Sequence, residues 1–215
     1  MSKNDAIILF GKYPREGFVK TRLALTIGDT KATDFYRRCL LEIFAEVERL
    51  TDRFDVFFYF AEAEEEKGVR KLSPPSFNLV AQSNTTLTNR IQLAFEQVFN
   101  LGYERVQIFS TDVPELNAKI IQNGNDQLID NDCVVGPDSD GGYYCLGMRL
   151  YRPELLKVVY GSKDGMLNQT IQNAKRHNFS YATLPEISDI DTYKDLQLFK
   201  LRNPILWARN YSKLI

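Results

Sequence analysis

The stretch Val106-Gln107-Ile108-Phe109-Ser110-Thr111-Asp112-Val113-Pro114-Glu115-Leu116 decides how the rest of the chain is read. Its apolar first half has the pattern of a buried strand, and the polar step Ser110-Thr111-Asp112 ends that strand. Pro114 is then expected to open a helix, because a first-turn residue has no use for the N–H that proline lacks. Asp112 thereby stands at the carboxyl end of a central strand. In open α/β sheets ligands bind in the crevice outside those ends, so a carboxylate there is placed to hold a divalent cation against a ligand's phosphates. The same residue would also serve as a helix cap, and the stretch alone leaves both readings open.

Upstream, Ala6-Ile7-Ile8-Leu9-Phe10 is a continuous apolar run, as expected of a first strand covered on both faces. Residues 11–23 follow as a loop in which Gly11, Gly17 and Pro14 interleave with Lys12, Arg15, Lys20 and Arg22. Glycines let backbone N–H groups approach a ligand, and Lys20 and Arg22 offer a point charge and a planar fork to phosphate oxygens. The spacing does not match the P-loop G-x-x-x-x-G-K-[ST], because five residues separate Gly11 from Gly17 and two more precede Lys20-Thr21. Apolar positions from Phe35 to Leu50 recur at threes and fours and predict a helix over 29–50, capped by Asp29 or Thr30. A second strand is expected over 54–60, a solvated acidic stretch over 62–66, and a third strand over 77–82 after the break Ser73-Pro74-Pro75.

A helix face follows from Leu87 to Val98, and the helix after Pro114 carries Ile120, Ile121 and Leu128 before a fifth strand over 133–136. Strands alternating with helices or long crossovers argue for a mostly parallel sheet. The turn-rich Pro137-Asp138-Ser139-Asp140-Gly141-Gly142 then runs straight into Tyr143-Tyr144-Cys145-Leu146-Gly147-Met148 with no room for a crossover helix. That strand is therefore expected to be antiparallel, making the sheet mixed. A helix beginning near Met166, a short strand over 181–184 and a last helix after Asp189-Ile190-Asp191-Thr192 complete the pattern. The basic tail with Trp207 reads as packing or as an oligomer contact, a homodimer in the simplest case, rather than a membrane anchor.

Length and composition narrow the classes. A chain of 215 residues with 44% hydrophobic content can bury one substantial core, so one domain is expected over 1–215. Lysines and arginines number 27 against 28 acidic residues, a formal charge of −1, so no global field draws the protein to nucleic acid or an anionic membrane. Met1-Ser2-Lys3-Asn4-Asp5 leads only into the short apolar run before Lys12, too little for a signal segment or a membrane span, so a cytoplasmic protein is expected. Cys39, Cys133 and Cys145 lack disulfide or zinc spacing and read as reduced fillers. His177 is the single histidine, in a polar stretch, which argues against any histidine-dependent triad.

Four stretches in order resemble the radical-SAM/selenodomain-associated transferase family, within the GT-A-type nucleotide-diphospho-sugar transferase superfamily. They are Lys12-Tyr13-Pro14 through Val19-Lys20-Thr21-Arg22-Leu23; Ser110-Thr111-Asp112-Val113-Pro114; Val135-Gly136 through Tyr143-Tyr144; and Asp189-Ile190-Asp191-Thr192 before Asp195-Leu196. Arg90 in Leu87-Thr88-Asn89-Arg90 matches a further family position, where Thr88 replaces a glycine. The first motif is also similar to 2-phospho-lactate guanylyltransferases and, more distantly, to molybdenum-cofactor guanylyltransferases. The resemblance implies a three-layer α/β/α Rossmann-like mixed sheet forming one nucleotide-diphospho-sugar transferase-like domain. It implies Mg²⁺ or Mn²⁺ on Asp112, with Asp189 or Asp191 as the second ligand. Capping of the last helix is the competing role for those two aspartates. Nucleotide contacts are implied at Gly11, Lys12, Gly17, Lys20, Arg22, Arg90, Gly141 and Gly142.

The chemistry expected is transfer of a nucleotidyl group from a nucleoside triphosphate to an anionic small acceptor, with Lys20 and Arg22 neutralising the triphosphate and departing pyrophosphate. The alternative is glycosyl transfer from a nucleotide sugar, in which Asp140 would be the base for an alcohol acceptor. A nucleotide-binding regulatory protein without turnover is the third reading.

Overall fold

The structure, a computed structural model, describes residues 3–215; Met1 and Ser2, at the head of the segment read above for targeting, lie outside them. The elements run β1 (Asp5–Gly11), α1 (Thr21–Ile27), α2 (Asp29–Glu48), β2 (Phe54–Phe60), α3 (Glu66–Leu72), β3 (Asn78–Ala81), α4 (Leu87–Phe99), β4 (Arg105–Ser110) and α5 (Ala118–Asp130). They continue with β5 (Cys133–Pro137), β6 (Tyr143–Met148), α6 (Met166–Arg176), β7 (Tyr181–Thr183), α7 (Tyr193–Arg202) and α8 (Pro204–Asn210). The strands form one mixed sheet of order β3-β2-β1-β4-β6-β5-β7. β3, β2, β1 and β4 are parallel, and β6 lies antiparallel between β4 and β5. The hairpin step after residue 137 thus inserts its second strand next to β4 and pushes β5 outward.

Period-two alternation divides the core. Ile7 and Leu9 of β1 point to one face with Phe44 of α2 and Leu128 of α5, whereas Ala6 and Ile8 point to the other with Phe95 of α4 and Ala174 of α6. The sheet is therefore the middle of three layers, as expected, and the elements over 54–60 and 143–148 fall where the sequence places them. A third cluster joins Leu23, Phe35, Cys39, Phe199, Trp207 and Tyr211, so the C-terminal tail packs on α1 and α2. No helix among the described residues is long and apolar enough to cross a membrane. The three cysteines are free and buried.

Two expectations are corrected. Pro114 does not open a helix: α5 starts at Ala118, with Asn117 as its cap, accepting from the N–H groups of Lys119 and Ile120 at 3.1 and 3.2 Å. Val113 and Leu116 are core residues, and the turn closed by the Leu116 N–H on the Val113 carbonyl, 3.1 Å, tucks both inward before the helix begins. The loop over 11–23 is shorter than expected, because Leu23 enters the third cluster and draws Thr21–Ile27 into a helix. The acidic stretch 62–66 lies at the surface as expected, with none of its residues buried, and is regular in structure. It forms a 3₁₀ turn and the start of α3, whose Glu66 at the first turn and Arg70 and Lys71 at the last complement the helix dipole while Val69 is buried.

Trp207 is buried against Phe199 and Tyr211, with ring centroids 6.4 and 6.3 Å apart. Trp207→Ala is expected to cost about 3 kcal/mol, the range for emptying a buried aromatic site. Denaturant unfolding checks this, and an unchanged midpoint would mean that the tail is not part of the core.

Candidate functional site

The carboxyl ends of β1 and β4 lie side by side, and glycine is what lets them meet. A Cβ built on Gly11 would stand 2.1 Å from Thr111 Oγ1. Tyr36 of α2 locks the junction. Its buried hydroxyl accepts from the Lys12 N–H at 2.9 Å and shares a hydrogen bond with Thr111 Oγ1 at 3.1 Å. Burial pushes the Tyr36 phenol up to about 12, so it stays a neutral partner.

Lys20 turns out not to be an exposed loop cation. Its side chain is 3% exposed, and Nζ stands 2.8 Å from both Asp112 Oδ2 and Asp191 Oδ1. The backbone there is left-handed, φ 47° and ψ 40°, immediately before α1, a conformation costing a side-chain-bearing residue about 1–2 kcal/mol. Burial works against the ammonium, yet the field of Asp112, Asp191 and Asp189 outweighs it and holds the proton more tightly than on a free lysine. Arg22 is exposed and reaches Asp191 Oδ2 at only 3.6 Å.

Capping does not account for the aspartates. Asn117 caps α5, and α7 is capped by Thr192 in a capping box with Asp195, so Asp112 and Asp191 cap neither helix. Instead, Asp112, Asp189 and Asp191 each offer an oxygen within 4.8 Å of the others. Burial, opposed by Lys20 but reinforced by Asp112, Asp191 and Asp138, pushes the Asp189 carboxyl up to about 8. Three convergent hard oxygens beside an open cavity are the donor set that Mg²⁺ or Mn²⁺ takes, with phosphate or water completing the shell. The crowding recorded in Asp189's raised pKa is what a divalent cation would relieve. The residues therefore fit such a metal, with the Asp189 carboxylate lying beside both Asp112 and Asp191.

Two cavities meet at Asp112. The first, about 370 Å³, is lined by Lys12, Lys20, Arg22 and Arg90 as well as Asp112 and Asp191. Arg90 is aimed by its Nε–H on the Thr85 carbonyl, 2.7 Å, and by Gln82 Oε1, 3.4 Å. The second, about 200 Å³, is lined by Asp138, Asp140, Asp189, Tyr143, Tyr144 and Gly142 among others, and by no lysine or arginine. Asp140 Oδ1 accepts from the Gly142 N–H at 2.8 Å, so one carboxylate oxygen shapes its own turn. Asp138 Oδ2 accepts from the Asp189 N–H at 3.3 Å, tying this loop to the metal-type cluster. Burial and the neighbouring Asp140 push Asp138 up to about 6.

Not every expected residue gathers here. Gly17 and Gly141 line neither cavity, nor does Thr88. Gly17 serves a turn at φ +77°, and the Gly141 carbonyl accepts from the Leu167 N–H at 3.1 Å. Asp138, Tyr143 and Tyr36 were given no role from the sequence. Asp138 stands two residues from Asp140 in one acidic turn and was open to the same argument; Tyr36 reads only as one more apolar position on a helix face.

Two variants test the cluster. Lys20→Ala removes the one buried cation, and because Asp112 and Asp191 keep partial access to water, the loss is expected near 1–3 kcal/mol rather than the larger cost of a fully buried pair. Lys20→Gly is expected to recover about 1 kcal/mol of that by relieving the left-handed strain, as seen in denaturant midpoints. For Asp189, the folded carboxyl keeps its proton to about 8, whereas an unfolded one releases it near ~4. Between those values the folded state binds more protons, so the group's contribution to stability falls as pH rises. Asp189→Asn in metal-free buffer is thus expected to melt about 2–4 °C above the wild type at pH 8.5 and to lose stabilisation by Mn²⁺. A lower melting temperature for the variant at that pH would refute the crowding argument.

No curated protein matches this sequence. Among solved structures, the chain superposes on a candidate nucleotide-diphospho-sugar transferase from Desulfovibrio desulfuricans G20 with a TM-score of 0.91 and 26% identity, covering 99% of this chain and 94% of that one. It is also similar to the manganese complex of Rv0371C from Mycobacterium tuberculosis H37Rv, with a TM-score of 0.55 and 13% identity over 91% and 97% of the two chains. For the inositol-1-phosphate CTP transferase from T. maritima the TM-score is 0.54 at 11% identity, over 97% and 98%. These likenesses establish the fold of nucleotide-diphospho-sugar transferases and nucleotidyltransferases, while the radical-SAM/selenodomain association finds no support in them. The model of the family "Uncharacterized protein conserved in bacteria (DUF2064)" matches residues 45–163, more than half of this chain, which therefore belongs to that family.

Proposed function

We propose that this protein is a metal-dependent transferase that moves a nucleotidyl group from a nucleoside triphosphate to a small hydroxylated acceptor. The observation that carries this is the meeting of a cavity lined by four basic side chains with a carboxylate-lined cavity, at the cluster of Asp112, Asp189 and Asp191. Lys12, Arg22 and Arg90 would bind the triphosphate, and Lys20 would add its charge to the same oxygens. Mg²⁺ or Mn²⁺ on the three aspartates would supply Lewis-acid neutralisation of the phosphate charge. The likeness to a candidate nucleotide-diphospho-sugar transferase over nearly the whole chain supports a transferase, and supports treating 1–215 as one domain. A cytoplasmic location remains part of the proposal.

The acceptor differs from the anion that the sequence suggests. A pocket lined by four aspartates and no basic side chain disfavours phosphate, whereas hydroxyl groups donate to carboxylates and aliphatic faces lie against tyrosine rings. The acceptor hydroxyl oxygen would attack the α-phosphorus, the bond to the β-bridging oxygen would break, and pyrophosphate would leave into the basic cavity. The hydroxyl proton would pass to Asp138, whose pKa of about 6 leaves it ionised yet basic at neutral pH. Asp140, with one oxygen held by Gly142, would shape the pocket.

Glycosyl transfer from a nucleotide sugar is the second reading, favoured by the likeness to the candidate nucleotide-diphospho-sugar transferase from Desulfovibrio desulfuricans G20. Product analysis separates the two. Phosphorus NMR of reactions with triphosphates or nucleotide sugars, Mn²⁺ and a polyol panel is expected to show pyrophosphate release from a triphosphate. Asp138→Asn should lower kcat by about 10²–10⁴, while Asp140→Asn should act mainly on acceptor KM. Release of a nucleoside diphosphate from a nucleotide sugar would establish the second reading instead.

A further inference from the structure

We infer that Lys20 is an internal counter-ion that holds the carboxylate cluster closed when no divalent cation is present, and that a divalent cation displaces it into the basic cavity, coupling cation binding to phosphate binding. The inference rests on the metal part of the proposed function.

The geometry carries the first half. Lys20 Nζ is within 2.8 Å of an oxygen on Asp112 and of one on Asp191, two of the three residues whose oxygens converge. A divalent cation drawing on those two carboxylates would meet a resident positive charge already at hydrogen-bonding range of both, and their repulsion opposes joint occupancy. Among the described residues Asp189 has no basic hydrogen-bond partner; its backbone N–H donates to Asp138 Oδ2. The cluster thus offers an incoming cation a carboxylate that Lys20 does not hold. Arg22, at 3.6 Å from Asp191 and exposed, gives no comparable closure.

The second half follows from where the side chain can go. Lys20 lines the basic cavity, although its side chain is 3% exposed and its ammonium is turned away into the carboxylates. A lysine is a compact charge on a flexible four-carbon stem, so it re-aims by rotamer change, which a planar guanidinium matched to one carboxylate does less readily. Its backbone is one of only two left-handed non-glycine positions among the described residues, and such strain persists where surrounding contacts over-determine it. Those contacts include the two ion pairs themselves. Removing the ion pairs therefore loosens the conformation that holds the ammonium inward. Once released, the nearest anion is whatever phosphate occupies the cavity beside Lys12 and Arg90.

The test is Mn²⁺ titration by calorimetry or electron paramagnetic resonance on the nucleotide-free protein, with the wild type, Lys20→Met and Asp112→Asn compared. Lys20→Met keeps the stem and removes the charge. It is expected to bind Mn²⁺ at least tenfold more tightly than the wild type, Asp112→Asn more weakly, and Mn²⁺ is expected to raise pyrophosphate affinity less in Lys20→Met than in the wild type. Equal or weaker Mn²⁺ binding by Lys20→Met overturns the displacement while leaving the transferase proposal standing on its product assay. Absence of Mn²⁺ binding in both proteins overturns the displacement and the metal assignment together. A second measurement needs no variant: amine acylation of the wild type, mapped by mass spectrometry, is expected to spare Lys20 without metal and to modify it with Mn²⁺. Protection of Lys20 that persists in saturating Mn²⁺ overturns the inference.

Discussion

The ion pairs of Lys20 with Asp112 and Asp191 are the constraint on which the site depends, because they bring together three segments that are remote in sequence. Lys20 is 92 residues from Asp112 and 171 from Asp191. Each segment is delivered by a different piece of packing. β4 ends at Ser110 and leaves Asp112 in the crevice; Leu23 pulls α1 into the third hydrophobic cluster and so fixes Lys20; Leu196 and Phe199 seat α7 on the same cluster and fix Asp191. The tail helix with Trp207 closes that cluster, so residues far from the chemistry set the spacing of the carboxylates.

Charge is partitioned along the crevice in a way that composition conceals. A net charge of −1 gives no hint that four basic side chains line one cavity while the adjoining one has four aspartates and no basic side chain. The two signs meet at Asp112, where low local dielectric strengthens each interaction. Opposite charge on either side of one carboxylate cluster is the basis for proposing an anionic donor on the β1 side and an uncharged, hydroxyl-bearing molecule on the β6 side. That asymmetry, rather than any single residue, is what moved the proposed acceptor away from the anion.

Much of the fold was legible because period-two and period-3.6 patterns are properties of short windows. β2 and α2 could be read from Phe54–Phe60 and from the recurrences between Phe35 and Val47. The antiparallel sense of β6 followed from a loop too short for a crossover. Its insertion between β4 and β5 did not, since strand order depends on long-range pairing that no window contains. The same holds at the site. The residue types in the 12–22 loop and at Asp112, Asp189 and Asp191 were visible, but the burial of Lys20 was not, because burial beside two carboxylates is created only when distant segments meet. Gly17 and Gly141 matched motifs and yet serve turns, since a glycine in a ligand-binding loop and one at a positive φ look the same in sequence.

The cap and ligand readings of the aspartates were equal on the sequence because both use a carboxylate at the end of an element beside a helix. What separates them is whether another residue already does the capping. Asn117 and Thr192 each stand at a helix N-terminus with their side chains on the first-turn N–H groups, which leaves Asp112 and Asp191 with no backbone donors to satisfy. Three half-exposed carboxylates have then been gathered around one ammonium, with a guanidinium only at the margin, and the folded protein holds a proton on Asp189 rather than let all three ionise. A helix cap needs one carboxylate and creates no such excess. The excess leaves the junction of the two cavities short of positive charge, a shortage that a divalent cation in place of the single ammonium would reduce.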